Sequence, residues 1–264
     1  MAGVSGGAPG AVDEFVAKWL AHEPEMAMAE VFVPATIRPL HRAWGALLHE
    51  LRQALFELGE PTVREAKLAW WSEELAQLAE GRARHPLTAQ LSAPAPWSGL
   101  ATGLFGADLA ARRPADSAQA LGDLLPLAGA VIAVESALFE SSGGEPEARA
   151  LAVHWLIERL NGGLGAEDGA RVPLNLLARH AVTAAELVEQ PAHPVLREWG
   201  GALASALPEA LGTGVLLRQQ RFVLDRARLR RLSRGGGWPR PLGVINLVRA
   251  WAASRRGLRA TTQR

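Results

Sequence analysis

Chemistry that grips a phosphate ester through Mg²⁺ needs converging carboxylates. On a helix the converging spacing is i, i+4, which puts two side chains on one face. None of the 27 acidic residues in this 264-residue chain stands four places from another. Glu57 with Glu60 and Glu186 with Glu189 are three apart, and both pairs read as exposed faces near helix ends. The seven histidines, His22, His41, His49, His85, His154, His180 and His193, contain no H-x-x-x-H pair. Cysteine is absent, which excludes a disulfide framework and a thiolate metal site. No Gly-x-Ser-x-Gly elbow or Walker-type loop occurs, and Gly162-Gly163 and Gly235-Gly236-Gly237 read as linkers. His41 and His49 flank the apolar stripe of one helix at i and i+8, where they line a cavity or, more simply, stand partly exposed.

The elements that must position any such residues are helices. Hydrophobic residues make up 48% of the chain, tyrosine is absent, and Ala and Leu are abundant. The most regular stripe runs through Leu40, Trp44, Leu47 or Leu48, Leu51, Leu55 and Leu58 and stops at Gly59-Glu60-Pro61. From Arg64 onward Leu68, Trp71, Leu75 and Leu78 recur at 3, 4 and 3, and Gly81 closes that helix. Trp70 lies about 100° round from this stripe, so two adjacent tryptophans meet two surroundings. On pattern alone they serve as core filler or as parts of a site. Further helices are predicted from Asp13 to His22, Leu100 to Ala111, Asp116 or Ser117 to Phe139, and Ala148 to Leu160. Others follow from Pro194 to Leu207, Leu211 to Leu232 and Leu242 to Ser254. Glu135 falls on or beside an apolar stripe and serves either a function or, more simply, a pairing with an arginine. Residues 1–11 and the basic end 257–264 are expected to be unstructured, leaving one domain over 12–256. The first residues carry no signal-peptide pattern, and the uncharged run Pro86 to Ala107 is broken by Pro94 and Pro96, so it does not read as a membrane span.

Lys-Leu-Ala-Trp-Trp-x-Glu-Glu-Leu from Lys67, then Gly81 and His85-Pro-Leu-Thr-x-x-Leu91, resembles the central helix of the squalene/phytoene synthase family. Gly106-Ala107-Asp108-Leu109 and Arg159 through Arg171-Val-Pro-Leu continue the resemblance in family order. It implies an all-α isoprenoid (terpenoid) synthase-like bundle around a central cavity, in enzymes that join two prenyl diphosphates head to head. Trp70, Trp71, Leu47, Leu51 and the Leu121 to Leu138 helix would wall that cavity. The family carries Asp-x-x-x-Asp on the helix before the tryptophans, where this chain reads Ala46-Leu-Leu-His49-Glu50-Leu-Arg52. Leu160 stands where the second motif has aspartate. The departure is similar to the branch of the superfamily represented by the mitochondrial complex I assembly factor. It implies a non-catalytic isoprenoid-binding or assembly role, with no catalytic residue and no metal cofactor. The candidate ligand-contact residues are Arg159, Arg171, Trp70, Trp71, Glu50 and Asp108. The alternative is an active prenyl-diphosphate transferase whose Mg²⁺ is held by Glu50, Glu74, Asp108 and Glu135.

The net charge of +1 hides an asymmetry. From Arg218 to the end there are 13 arginines against Asp225; the other 15 basic and 26 acidic residues give −11. The helix carrying Arg218, Arg221, Arg226, Arg228, Arg230, Arg231 and Arg234 would suit an anionic membrane surface, or it balances the acidic body. With only Phe222, Trp238 and Trp251 interleaved, single-strand nucleic acid is disfavoured as a partner. The expected partners are an isoprenoid or prenyl diphosphate, an anionic membrane and another protein. The expected location is cytoplasmic, or peripheral to the inner membrane of a bacterium.

Overall fold

The computed structural model describes residues 10–105, 107, 113–161, 172–190, 193–212, 214–235 and 248–255. Among them there are helices and turns and no strand. In chain order the helices are α1 (Ala11–His22), α2 (Pro24–Ala29), α3 (Arg38–Phe56), α4 (Pro61–Ala79), α5 (Pro86–Gln90), α6 (Trp97–Leu104) and α7 (Ser117–Gly122). Then come α8 (Leu125–Leu138), α9 (Glu145–Asn161), α10 (Leu174–Arg179), α11 (Ala184–Glu189), α12 (Pro194–Ala206) and α13 (Leu216–Ser233). A last helical segment spans 248–255. The ends expected to be unstructured lie outside the described residues, apart from Gly10 and Ala11.

Proline sets many of the starts. A proline stands in the first turn of α2, α3, α4, α5, α8 and α12. There its missing N–H would have been unpaired anyway and its fixed φ suits the helix. The expected single helix from 116 to 139 is therefore two: Pro126 opens α8 after a turn at Asp123 and Leu124. The predicted helix from Leu211 likewise begins only at Leu216, and α2 was not expected at all. Helix α4 ends as its glycine foretells. Gly81 takes φ 75°, its N–H reaches the Leu78 carbonyl, and Arg82 N–H reaches back to Gln77, which together satisfy the last carbonyls.

The core is a single cluster held by tryptophans. Trp19, Trp44, Trp71, Trp97 and Trp199 are fully enclosed. Helix α3 runs through the middle, against α1, α4 and α5, while α8 packs on α9 and α12 on α13. Helix α1 approaches α3 closely because Gly45 leaves room for Trp19; a Cβ there would lie 2.4 Å from the indole. By length and composition alone, the stretch Ser117–Leu138 could cross a membrane. In this fold it is broken at α7/α8, and its buried Glu135 pairs with Arg218, which marks a core element.

Candidate functional site

Helices α3 and α9 carry Ala46–Arg52 and Leu160, where the family resemblance expects metal motifs, and they meet through Arg52 and Glu158; the rest of the second motif's stretch, 162–171, lies outside the described residues. What occupies that place is a buried ion-pair network. From α9, Glu158 faces Arg228 of α13 at 3.1 Å, Arg52 of α3 at 3.8 Å and His22 of α1 at 3.6 Å. Arg228 also reaches Glu25 at 3.0 Å and Asp225 at 3.3 Å, and Asp225 holds the His154 ring at 2.9 Å. A neighbouring fork joins Arg221 to Glu23, with contacts of 2.8 and 3.2 Å. Taking these charges out of water is costly, and only such mutual pairing makes the arrangement tenable. Burial would raise the Glu158 carboxyl, but His22, His154, Arg228 and Arg52 outweigh it and hold the group well below the usual carboxylate range. Burial would lower the Arg228 guanidinium, yet Glu158, Asp225 and Glu25 keep it above its ordinary value.

Helix α13 explains why its arginines read as surface and are not. Arg218, Arg221, Asp225 and Arg228 recur at 3, 4 and 3 along one face, and that face is the buried one. Arg218, 1% exposed, grips Glu135 at 2.7 and 3.1 Å, and Trp44 Nε1 donates to the same carboxylate at 2.9 Å. The expectation of a membrane-facing helix from Arg218 to Arg234 is therefore corrected. Three of its arginines point inward, and the exposed ones, Arg230, Arg231 and Arg234, gather at its end.

The expectation that His41 and His49 stand partly exposed is also overturned, since both are buried. Arg52 Nη2 lies 3.0 Å from His49 Nδ1. A guanidinium only donates, so Nδ1 must accept and the ring proton belongs on Nε2. Burial, helped by Arg52, pushes His49 down to about 3. Burial also pushes His41 down to about 4 against the opposing field of Glu30.

The other predicted residues are distributed as follows. Trp71 is 1% exposed, and Leu47 and Leu51 are enclosed with it, so they pack the core and do not border open space. Trp70, expected as a cavity wall, is 41% exposed on the outer edge of α4. Its ring still meets Trp71 at 4.9 Å, and both indoles stand against His85, at 5.7 and 5.0 Å. Phe15 of α1 closes this aromatic group, 4.7 Å from His85. Glu50 is 4% exposed and lies beside it, accepting from Lys18 at 2.7 Å and Lys67 at 3.3 Å. Burial would raise this carboxyl, but the two ammoniums prevail and keep it ionised. Arg159 lies elsewhere, at the end of α9 with its guanidinium 5.0 Å from the Phe56 ring. Asp108 and Arg171 lie outside the described residues.

Glu50, Glu74 and Glu135 do not fit a shared Mg²⁺. Glu74 is occupied by the backbone N–H groups of Arg84 and His85 and by the Thr88 hydroxyl. Glu135 is occupied by Arg218 and Trp44, and Glu50 by two lysines. Each acid sits in its own place with its own partners, and a divalent ion would have to displace a cation or a donor from each. Among the described residues, no group of three or more His, Asp or Glu side chains is placed to hold a metal. Sequence reasoning missed the Glu158 network. The available signal was polar residues on buried faces: His49 with Arg52, and His154 with Glu158.

The fold has solved counterparts. The chain is similar to a dehydrosqualene synthase crystallised in complex with a ligand, at TM-score 0.62 and 15% identity, over 94% of this chain and 98% of that one. A squalene synthase, HpnC from Alicyclobacillus acidocaldarius, aligns at TM-score 0.48 and 16% identity, over 93% of this chain and 94% of that one. No protein-family model matches the sequence, and among curated proteins none matches it. The first likeness shows that the expected all-α isoprenoid-synthase fold is the fold of this chain.

Proposed function

We propose that this chain is a non-catalytic isoprenoid-binding protein on a synthase fold, its metal-diphosphate centre replaced by internal ion pairs. The observation that carries this reading is the engagement of Glu50, Glu74 and Glu135. These three carboxylates are each held by lysine, arginine, hydroxyl or N–H donors of the chain itself. Ionising a prenyl diphosphate requires the leaving group's charge to be neutralised by an ion or donors aimed at it. Here the cations around these acids are committed to neutralising the protein's own carboxylates. A fold with apolar helices, and with no such clamp among the described residues, suits holding an isoprenoid better than transforming one.

The test is isothermal titration of farnesyl diphosphate into the purified chain, with Mg²⁺ and with EDTA, followed by product analysis of the same mixtures. Binding of equal strength under both conditions with no diphosphate released is the expected result. Mg²⁺-dependent turnover would overturn the reading in favour of an active transferase. Absence of binding in both conditions would refute ligand holding and leave assembly with another protein as the role to pursue.

A further inference from the structure

The chain contains two lysines, Lys18 and Lys67, against 26 arginines. They belong to different helices, α1 and α4, yet both end on the same carboxylate, one on each oxygen of Glu50. Two other buried acids are each neutralised by one arginine fork, Glu135 by Arg218 and Glu23 by Arg221. One guanidinium suffices for that purpose, since its geometry matches both carboxylate oxygens. At Glu50 two ammoniums do it instead, and they are more than the acid needs. The cluster carries a net charge of +1. Each ammonium has three donors. Lys18 spends two, on Glu50 and Gln53, and Lys67 spends one, so three remain. Both side chains are open to solvent, Lys18 at 48% and Lys67 at 31%, while the carboxylate beneath them is not.

The surroundings are polarised. Phe15 precedes Lys18 by one turn of α1, and Trp70 follows Lys67 by one turn of α4. Both aromatic rings converge on His85, at 4.7 and 5.7 Å. The lysines thus mark one end of a strip across α1, α3 and α4, and a half-exposed indole marks the other.

We infer that Lys18 and Lys67, seated on Glu50, form a metal-independent site for the phosphate head of an amphiphile whose apolar body lies along Trp70 and Phe15. This deepens the ligand-holding reading above and rests on it. Three outward ammonium donors answer the oxygens of a phosphate monoester, and the surplus positive charge answers its negative one. Glu50 holds the lysines together when the site is empty and competes with the ligand for their donors. Removing that carboxylate therefore has a sign that no structural role shares.

The experiment is isothermal titration of farnesyl monophosphate, farnesol and inorganic phosphate into the full chain in EDTA, for wild type, Lys67→Gln and Glu50→Gln. Farnesyl monophosphate should bind wild type, farnesol and inorganic phosphate each far more weakly. Lys67→Gln should weaken farnesyl monophosphate about tenfold, and Glu50→Gln should tighten it by a similar factor, as expected for one charge near the surface. Weakening by Glu50→Gln would identify the cluster as structural and overturn the site, whether or not Lys67→Gln folds. Unchanged affinity in both variants would also overturn it, while leaving the ligand-holding reading intact. Equal binding of farnesol would remove the phosphate from recognition, and equal binding of inorganic phosphate would remove the aromatic strip.

Discussion

Acidification from pH 7 to pH 5 should cost this fold about 4 kcal/mol through two buried histidines. Both rings titrate at the ordinary 6.5 in the unfolded chain, but at about 4 for His41 and about 3 for His49 in the folded one. A folded value below the unfolded one means that the unfolded chain takes up the proton first. The contribution is therefore complete above pH 6.5 and is lost as pH falls toward the folded values. At pH 5, one and a half units below the unfolded value, each ring forfeits about 2 kcal/mol at 1.36 kcal/mol per unit. Glu23 and Glu158 are held below the carboxylate value of 4.5, so their protonation destabilises the fold only at lower pH. Since a domain is stable by about 5 to 15 kcal/mol, the loss is a large share. Urea unfolding followed by far-UV circular dichroism at pH 7, 6 and 5, at fixed ionic strength, reads it directly. His41→Leu isolates half of the effect. The variant removes the buried ring and its interaction with Gln220, so whatever its stability at pH 7, it should lose about half as much between pH 7 and pH 5. A stability unchanged between pH 7 and 5, or a full slope retained in His41→Leu, would refute the argument.

Two other outcomes follow from the packing. Arg228→Met should cost about 3 to 5 kcal/mol in thermal unfolding, because Glu25, Glu158 and Asp225 lose their shared cation; adding Glu158→Gln should restore part of it. Trp71→Ala should cost about 3 to 5 kcal/mol in urea unfolding, and Trp70→Ala less than about 1, because only the first ring is enclosed. Equal costs for the two would contradict the placement of α4.

Several features were legible before any coordinates. The stripe through Leu68, Trp71, Leu75 and Leu78 is the buried face of α4, and Gly81 ends it. The lack of any two acidic residues four places apart, and with it of the Asp-x-x-x-Asp pattern, is a property of the sequence itself. Two features were written in the sequence but open to the wrong reading. Pro126 marks the break between α7 and α8. The spacing of Arg218, Arg221, Asp225 and Arg228 marks a single face of α13. Charges on one helical face normally seek water, so the stripe reads as surface until its counter-charges are known.

Those counter-charges lie far away in the chain. Arg221 meets Glu23 across 198 positions, and Arg218 meets Glu135 across 83. Lys18 and Lys67 reach Glu50 across 32 and 17. Local pattern governs what depends on neighbours three or four residues away: helix type, helix ends, the apolar side, and the absence of paired carboxylates. Whether a charge is inside or outside depends on which distant helix faces it. Burial of an ion is tolerated only when an opposite charge is brought within reach. The sequence by itself determined an all-α bundle without helical metal motifs. The tertiary structure alone decided that Arg218, Arg221 and Arg228 of α13 are internal counter-ions, and that the two lysines share one acid.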